Sequence, residues 1–140
     1  MPSWDRWRRL RAPERRLRVS ALCAVVSARL ALTLLPFARL RASSVRVETG
    51  VPRRPSRAGP TPPEVDRAVS ASARFVPGAT CLVRALAAQW ILRRAGRRAA
   101  LRIGVAQRGD GALDAHAWVE CDDGSLVGER GRADYAEVPL

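Results

Sequence analysis

The order of segments along this chain predicts an α+β fold in which helices pack on a small antiparallel sheet. Helix-like segments come first, and three short strand-like segments joined by glycine-containing turns follow them. With 140 residues, 47% of them apolar, the chain is long enough for one domain with a modest core.

Three segments are predicted to be helical. The first follows Pro13 and ends or bends at Pro36. The second covers residues 62–75. One face of this second helix is predicted to carry Val65, Ala68, Val69, Ser72 and Phe75. The third begins at Cys81 and stops at Gly96, a glycine in the position that commonly terminates a helix.

Strands are predicted over residues 100–106, 113–121 and 125–128. The middle strand has two unlike faces, because successive side chains point to opposite sides of a sheet. Its small apolar residues, suited to packing on helices, are Ala115, Ala117, Val119 and Cys121. Its large or polar residues are His116, Trp118 and Glu120.

Composition divides the chain into three parts. Residues 1–49 are predicted to be a basic and apolar helical arm, residues 50–61 a linker rich in proline and arginine, and residues 62–140 the core. Residues 50–63 contain five of the ten prolines and two glycines, which is typical of an extended connection.

Residues 19–37 of the arm leave three alternatives open, one of which is a membrane-surface contact through residues 14–37. An apolar run after a basic stretch is typical of a membrane span or a signal peptide. Arg29 lies near its middle, where a charge costs about 2.5–3.5 kcal/mol on insertion scales. We therefore expect a helix packed on the domain, and a helix lying on a membrane surface is the next alternative.

The net charge of +12 includes 25 basic side chains, all of them arginine. Absence of lysine is typical of codon bias in a GC-rich genome, and no RNA-binding or DNA-reading signature accompanies the charge, so no nucleic-acid partner is predicted. The three cysteines form no CxxC pair, so neither a metal site nor a disulfide framework is indicated. A reducing cytoplasm is the expected location.

Cys81 and His116 form the candidate catalytic pair. Thr80 can cap the third helix, which leaves Cys81 in the first turn, where unpaired amides and the helix dipole favour a thiolate. The N–H of Cys81 is also a candidate oxyanion-hole donor. His116, the only histidine, is the candidate general base. A buried structural cysteine and a structural strand histidine are the alternatives.

A carboxylate that orients His116 is expected nearby. If residues 123–124 form a two-residue hairpin turn, Trp118 faces Glu129, which then shares the face of His116. Glu129 is therefore the first candidate, and Asp114, on the same face as His116, is the alternative. Trp118 is a candidate wall of the substrate-binding site, or else a simple packing residue.

Three segments resemble the transglutaminase-like leader peptidases of lasso-peptide biosynthesis. They are PGATCLVRALAAQ at 77–89, LRIGV at 101–105 and AHAWVE at 115–120. The resemblance covers about residues 14–140 and implies a transglutaminase-like, or papain-like, fold with a Cys-His-Asp triad. In this chain the triad would be Cys81 as nucleophile and His116 as base, with Glu129 in place of the usual Asp.

The resemblance also implies a reaction. Such a cysteine peptidase removes the leader from a ribosomally made precursor peptide, without a cofactor, and a separate ATP-dependent cyclase then closes the lasso. Because only a short arm precedes the core here, a separate small protein is expected to recognise the leader. Two other functions stay open, namely acyl transfer by the same Cys-His pair and a non-catalytic arginine-rich adaptor for an acidic partner or membrane.

Overall fold

The computed structural model describes residues 3–36, 38–39, 59–128 and 135–138. Its helices are α1 (Ser3–Arg8), α2 (Ala12–Leu34), α3 (Pro62–Ala73) and α4 (Cys81–Arg94). Its strands are β1 (Ala99–Gln107), β2 (Leu113–Cys121), β3 (Leu126–Val127) and β4 (Ala136–Val138). The predicted α+β fold, with helices on a small antiparallel sheet, is confirmed.

The sheet has the strand order β3-β2-β1-β4, and each neighbouring pair is antiparallel. The β1–β2 register places Gly104 opposite His116. β4 was not predicted from the sequence, because three residues are too few to show an alternating pattern. It pairs with the outer side of β1 and brings Tyr135, the residue before it, over the middle of the sheet.

α4 is the central helix of the domain, in contact with α2, α3, β1 and β2. Eight of its residues are buried: Val83, Ala85, Leu86, Ala87, Ala88, Gln89, Ile91 and Leu92. A helix that is buried on several sides needs apolar residues around most of its circumference, and the sequence of α4 has them. Gly96, with φ +81°, ends the helix as predicted.

α2 packs on α3 and α4 through small side chains. Ala21, Val25 and Ala28 are each 0% exposed, so the prediction of a helix packed on the domain is confirmed. The division of the chain at residues 50–61 stays a prediction, because most of that segment lies outside the described residues.

The predicted position of Phe75 is wrong. α3 ends at Ala73, and the Phe75 N–H bonds the Ser72 carbonyl in a tight terminal turn. Phe75 is consequently 78% exposed, whereas Val65, Ala68, Val69 and Ser72 form the buried face as expected.

The turn between β2 and β3 also differs from the prediction. It has three residues, 122–124, because the Cys121 N–H bonds the Ser125 carbonyl and Gly124 adopts φ +81°. Val119 therefore pairs with Val127, one residue away from the expected register. Since a one-residue shift reverses the faces of a strand, the register predicted for β2 and β3, from which Glu129 was chosen, is wrong.

Candidate catalytic site

Cys81 is the first residue of α4, as predicted. The Thr80 hydroxyl oxygen accepts a hydrogen bond from the Val83 N–H at 3.4 Å, and the Thr80 carbonyl accepts one from the Arg84 N–H. The Cys81 N–H is therefore one of the first-turn amides for which the helix provides no acceptor. Cys81 as a whole is half-buried, so part of the residue is open to solvent.

The thiol of Cys81 meets β2 next to His116. Its Sγ lies 3.8 Å from the carbonyl oxygen of Ala115, which directly precedes His116 in the strand. The first turn of the central helix and the histidine-bearing strand segment are thus in contact. The pairing of Cys81 with His116 itself stays a prediction; the structure shows the Cys81 thiol beside the residue that precedes His116.

His116 is oriented by a peptide carbonyl. Its Nε2 lies 2.7 Å from the carbonyl oxygen of Gly128. A carbonyl oxygen can only accept, so Nε2 carries the proton and the lone pair of the neutral ring lies on Nδ1. Nδ1 is then the nitrogen that can take a proton from a thiol. Gly128 was not predicted from the sequence, because every residue has a main-chain carbonyl and the residue type does not show which one accepts a hydrogen bond.

Two aromatic rings enclose the imidazole of His116. The Trp118 ring stacks on it at 6.2 Å between centroids and 23° between planes. The Tyr135 ring lies at 5.3 Å and 34°. Trp118 is only 1% exposed, so it supports the imidazole and offers no surface as the predicted wall of a substrate site.

Gly104 makes room for both rings. A Cβ at this position would lie 2.8 Å from the Cβ of Tyr135 and 2.9 Å from the Trp118 ring. Real Cβ atoms essentially never show contacts this short, so any side chain here would displace Tyr135 or Trp118. Gly104 lies opposite His116 in the sheet. Because it has no side chain, the two rings beside the imidazole can occupy their positions.

Asp114, the alternative carboxylate, bonds Tyr135. The Tyr135 hydroxyl donates to Asp114 Oδ2 at 2.8 Å, and Arg108 Nε lies 4.0 Å from the same oxygen. The hydrogen bond to Asp114 raises the pKa of Tyr135, because ionisation would break the bond and place a second negative charge beside the carboxylate. Asp114 is therefore bonded to one of the two rings that lie beside His116.

Arg29 of α2 supports the turn that leads into Cys81. Its Nε donates to the Pro77 carbonyl at 3.2 Å, and its guanidinium also bonds the Thr33 hydroxyl. Gly78 has φ +75°, and a Cβ there would lie 2.7 Å from Arg29 Nε. The charge inside the apolar part of α2 thus supports the turn before Cys81. That charge was the only sign of this contact in the sequence.

Glu129 lies outside the described residues, so its role as third member of the triad stays a prediction. Glu120, on the same strand face as His116, pairs with Arg102 at 3.2 Å. Across the described ranges, no group of three or more His, Cys, Asp or Glu side chains is placed to hold a metal ion.

Comparison with known proteins gives one result. The model of the transglutaminase-like superfamily matches residues 22–139, a range that includes most of α2, the site and the whole sheet. No curated protein and no solved structure gives a significant match.

Proposed function

The chain belongs to the transglutaminase-like superfamily, which includes cysteine peptidases and acyltransferases, and on that basis we propose that it is a leader peptidase. Its substrate would be the ribosomally made precursor of a lasso peptide. The observation that carries the proposal is the meeting of the Cys81 thiol with the β2 segment bearing His116. The choice of a leader as substrate rests on the resemblance of residues 77–89 and 115–120.

The first half of the reaction forms an acyl-enzyme. The thiol of Cys81 gives its proton to Nδ1 of His116, and the sulfur attacks the scissile carbonyl carbon. The resulting oxyanion accepts a hydrogen bond from the Cys81 N–H. The peptide C–N bond then breaks, and His116 returns the proton to the leaving amine, which is the new N-terminus of the core peptide.

The second half of the reaction releases the leader. Water attacks the thioester carbon while His116 takes one of its protons, and the sulfur of Cys81 leaves with that proton. The products are a leader carboxylate and the free enzyme. Throughout both halves, the hydrogen bond from Nε2 to the Gly128 carbonyl keeps the ring in one orientation.

The partners follow from the resemblance. We propose that a separate small protein presents the leader, and that the ATP-dependent cyclase takes the freed amine. The three cysteines are free thiols, which suits the reducing cytoplasm that we propose as the location.

Acyl transfer is the second candidate, because an amine can attack the same thioester in place of water. The superfamily includes enzymes of both kinds. Product mass separates the two reactions, since hydrolysis gives a leader acid and transfer gives a leader amide.

The test is mass spectrometry of a candidate lasso precursor incubated with this protein and a leader-binding partner. Wild type should cut one bond, and Cys81→Ala should leave the precursor intact. Cys23→Ala is the matched control, because Cys23 is an exposed cysteine on α2. It should cleave at the wild-type rate.

Cleavage by Cys81→Ala at the wild-type rate would remove the proposed nucleophile. An intact precursor with every variant, although the partner demonstrably binds the leader, would favour the non-catalytic adaptor instead.

A further inference from the structure

We propose that the outer face of α2 docks this protein on the surface of an anionic phospholipid bilayer. The outer face is the side of α2 turned away from α3 and α4. It is defined by Val19, Leu22, Val26, Leu30 and Leu34. The proposal concerns binding alone and stands whether or not the chain is a peptidase.

The apolar residues of the outer face form one continuous row. Their spacing of three, four, four and four residues places them along one side of a helix. They are between 39% and 78% exposed, although the opposite side of the same helix is fully buried in the core. Scattered exposed apolar residues are ordinary, but a row along a whole helix indicates an interaction surface.

The charge next to the row fits an anionic surface. Residues 6–18 contain seven arginines, all exposed, whereas the only acidic residues before the row are Asp5 and Glu14. Arg11 and Arg15 lie eight and four residues before Val19, so the same side of the helix begins basic and continues apolar. Basic residues beside an apolar helix face are the pattern that binds anionic lipid headgroups.

α2 would lie on the bilayer and not cross it. By length and composition alone the helix could span a membrane. However, its inner side packs on α3 and α4, and the guanidinium of Arg29 bonds the Pro77 carbonyl. Crossing would break these contacts and bury a charge, whereas lying in the headgroup region keeps them.

The experiment is co-sedimentation of the full chain with lipid vesicles at about 0.1 M salt. One set is phosphatidylcholine alone, and the other contains equal parts phosphatidylcholine and phosphatidylglycerol. We expect sedimentation with the anionic vesicles only, reversed by about 1 M salt, where the screening length falls to about 3 Å. Cys81→Ala should bind equally well, which separates this result from any failure of the peptidase proposal.

Two variants with matched controls locate the surface. In the charge variant, Arg15, Arg16 and Arg18 are changed to Gln; its control makes the same change at three exposed arginines elsewhere: Arg74, Arg94 and Arg98. At about fivefold per arginine, the charge variant should lose on the order of 100-fold in partitioning to vesicles, and the control should lose little.

In the apolar variant, Leu22 and Leu30 are both changed to Ser, and the protein should also be released from the vesicles. The control Phe75→Ser, at a more exposed apolar residue, should stay bound.

Circular dichroism establishes that each variant is folded. No binding of wild type to anionic vesicles would overturn the proposal, and so would salt-resistant binding to both vesicle types, which indicates insertion. Retention of vesicle binding by the Leu22/Leu30 variant, together with loss of partner-dependent cleavage, would assign the face to a protein partner and equally overturn the proposal.

Discussion

Nε2 of His116 donates a hydrogen bond to the main-chain oxygen of Gly128 at 2.7 Å. This bond fixes the ring tautomer as a carboxylate would, but the acceptor carries no net charge. A carboxylate also stabilises the charged imidazolium that forms when His116 takes a proton. The described part of the site therefore supplies orientation from Gly128, and any charge stabilisation has to come from elsewhere.

Gly128→Ala should lower kcat/KM for precursor cleavage by about 100-fold. Gly128 has φ +79°, a conformation that costs a residue with a Cβ roughly 1–2 kcal/mol. A shift of the carbonyl by about 1 Å would misplace His116, and displacements of that size cost about 100-fold. The matched control is Gly124→Ala, because Gly124 has φ +81° in the same hairpin but no contact with His116. Equal losses in both variants would show that backbone strain alone is responsible.

Glu129→Ala should weaken cleavage moderately, by about tenfold in kcat/KM. Loss of the sole orienting carboxylate in a Ser-His-Asp enzyme costs about 10⁴-fold, but here the Gly128 carbonyl also holds the ring. Asp114→Asn should cost less than Glu129→Ala, because an amide still accepts the Tyr135 hydrogen bond. A larger loss in Asp114→Asn would instead assign the charge-stabilising role to Asp114.

Gly104→Ala should destabilise the protein and slow cleavage. The new methyl would meet Tyr135 and Trp118 at under 3.0 Å, and overpacking of this kind costs about 1–3 kcal/mol. The expected result is a Tm lower by several degrees in a thermal melt. Gly109→Ala is the control, since a Cβ at Gly109 meets nothing within 4 Å. An unchanged Tm in Gly104→Ala would contradict the close packing of the two rings.

Arg29→Met should reduce kcat more than it raises KM. Methionine keeps the aliphatic stem but loses the hydrogen bond to the Pro77 carbonyl, so the turn before Cys81 loses its support from α2. We expect a kcat loss of about tenfold or more, measured by steady-state cleavage of a fluorogenic precursor. Arg84→Met serves as control, because the Arg84 side chain bonds the Ser70 hydroxyl and not the turn before Cys81. A rise in KM alone would indicate that Arg29 affects substrate binding.

Iodoacetamide at pH 8 should modify two of the three cysteines in the native protein. Burial, reinforced by the nearby Asp123 carboxylate, raises the pKa of the Cys121 thiol to about 11. At pH 8 such a thiol is ionised in only about one molecule in a thousand, and only the thiolate reacts. Intact-mass spectrometry should show two adducts in native protein and three after denaturation. Three rapid adducts in native protein would contradict the burial of Cys121.

Local patterns in the sequence predicted the elements that carry the site. β2 was predicted with its observed bounds, and α4 begins at Cys81 as expected, because Thr80 is a strong N-cap and Gly96 a strong terminator. The predicted core face of β2 is buried at Ala117, Val119 and Cys121, but Ala115 is exposed, and Trp118 on the opposite face is buried as well. The N-cap, the helix-ending glycine and the alternation of a strand are all determined by residues that are close in the sequence.

The parts that were not predicted depend on contacts that a local pattern does not encode. Gly124 allows a three-residue turn where a two-residue turn was predicted, and the shift of one residue changes the expected partner of Trp118. Tyr135 reaches His116 only because the short strand β4 pairs with β1. Arg29 was identified as a charge in an apolar segment, but its partner Pro77 lies 48 residues away.

The contact between Arg29 and Pro77 limits how this chain can be recombined with others. From the sequence alone, α2 belongs to an arm that a proline-rich segment separates from the core, and such an arm would be replaceable by another domain. In the molecule, it supplies part of the shared core and holds the turn before Cys81. A gene fusion that replaced α2 would therefore remove support for the turn before Cys81, whereas one that joined a new domain ahead of α2 would preserve it. The point at which a domain can be exchanged without loss of core contacts therefore lies before α2, not after it.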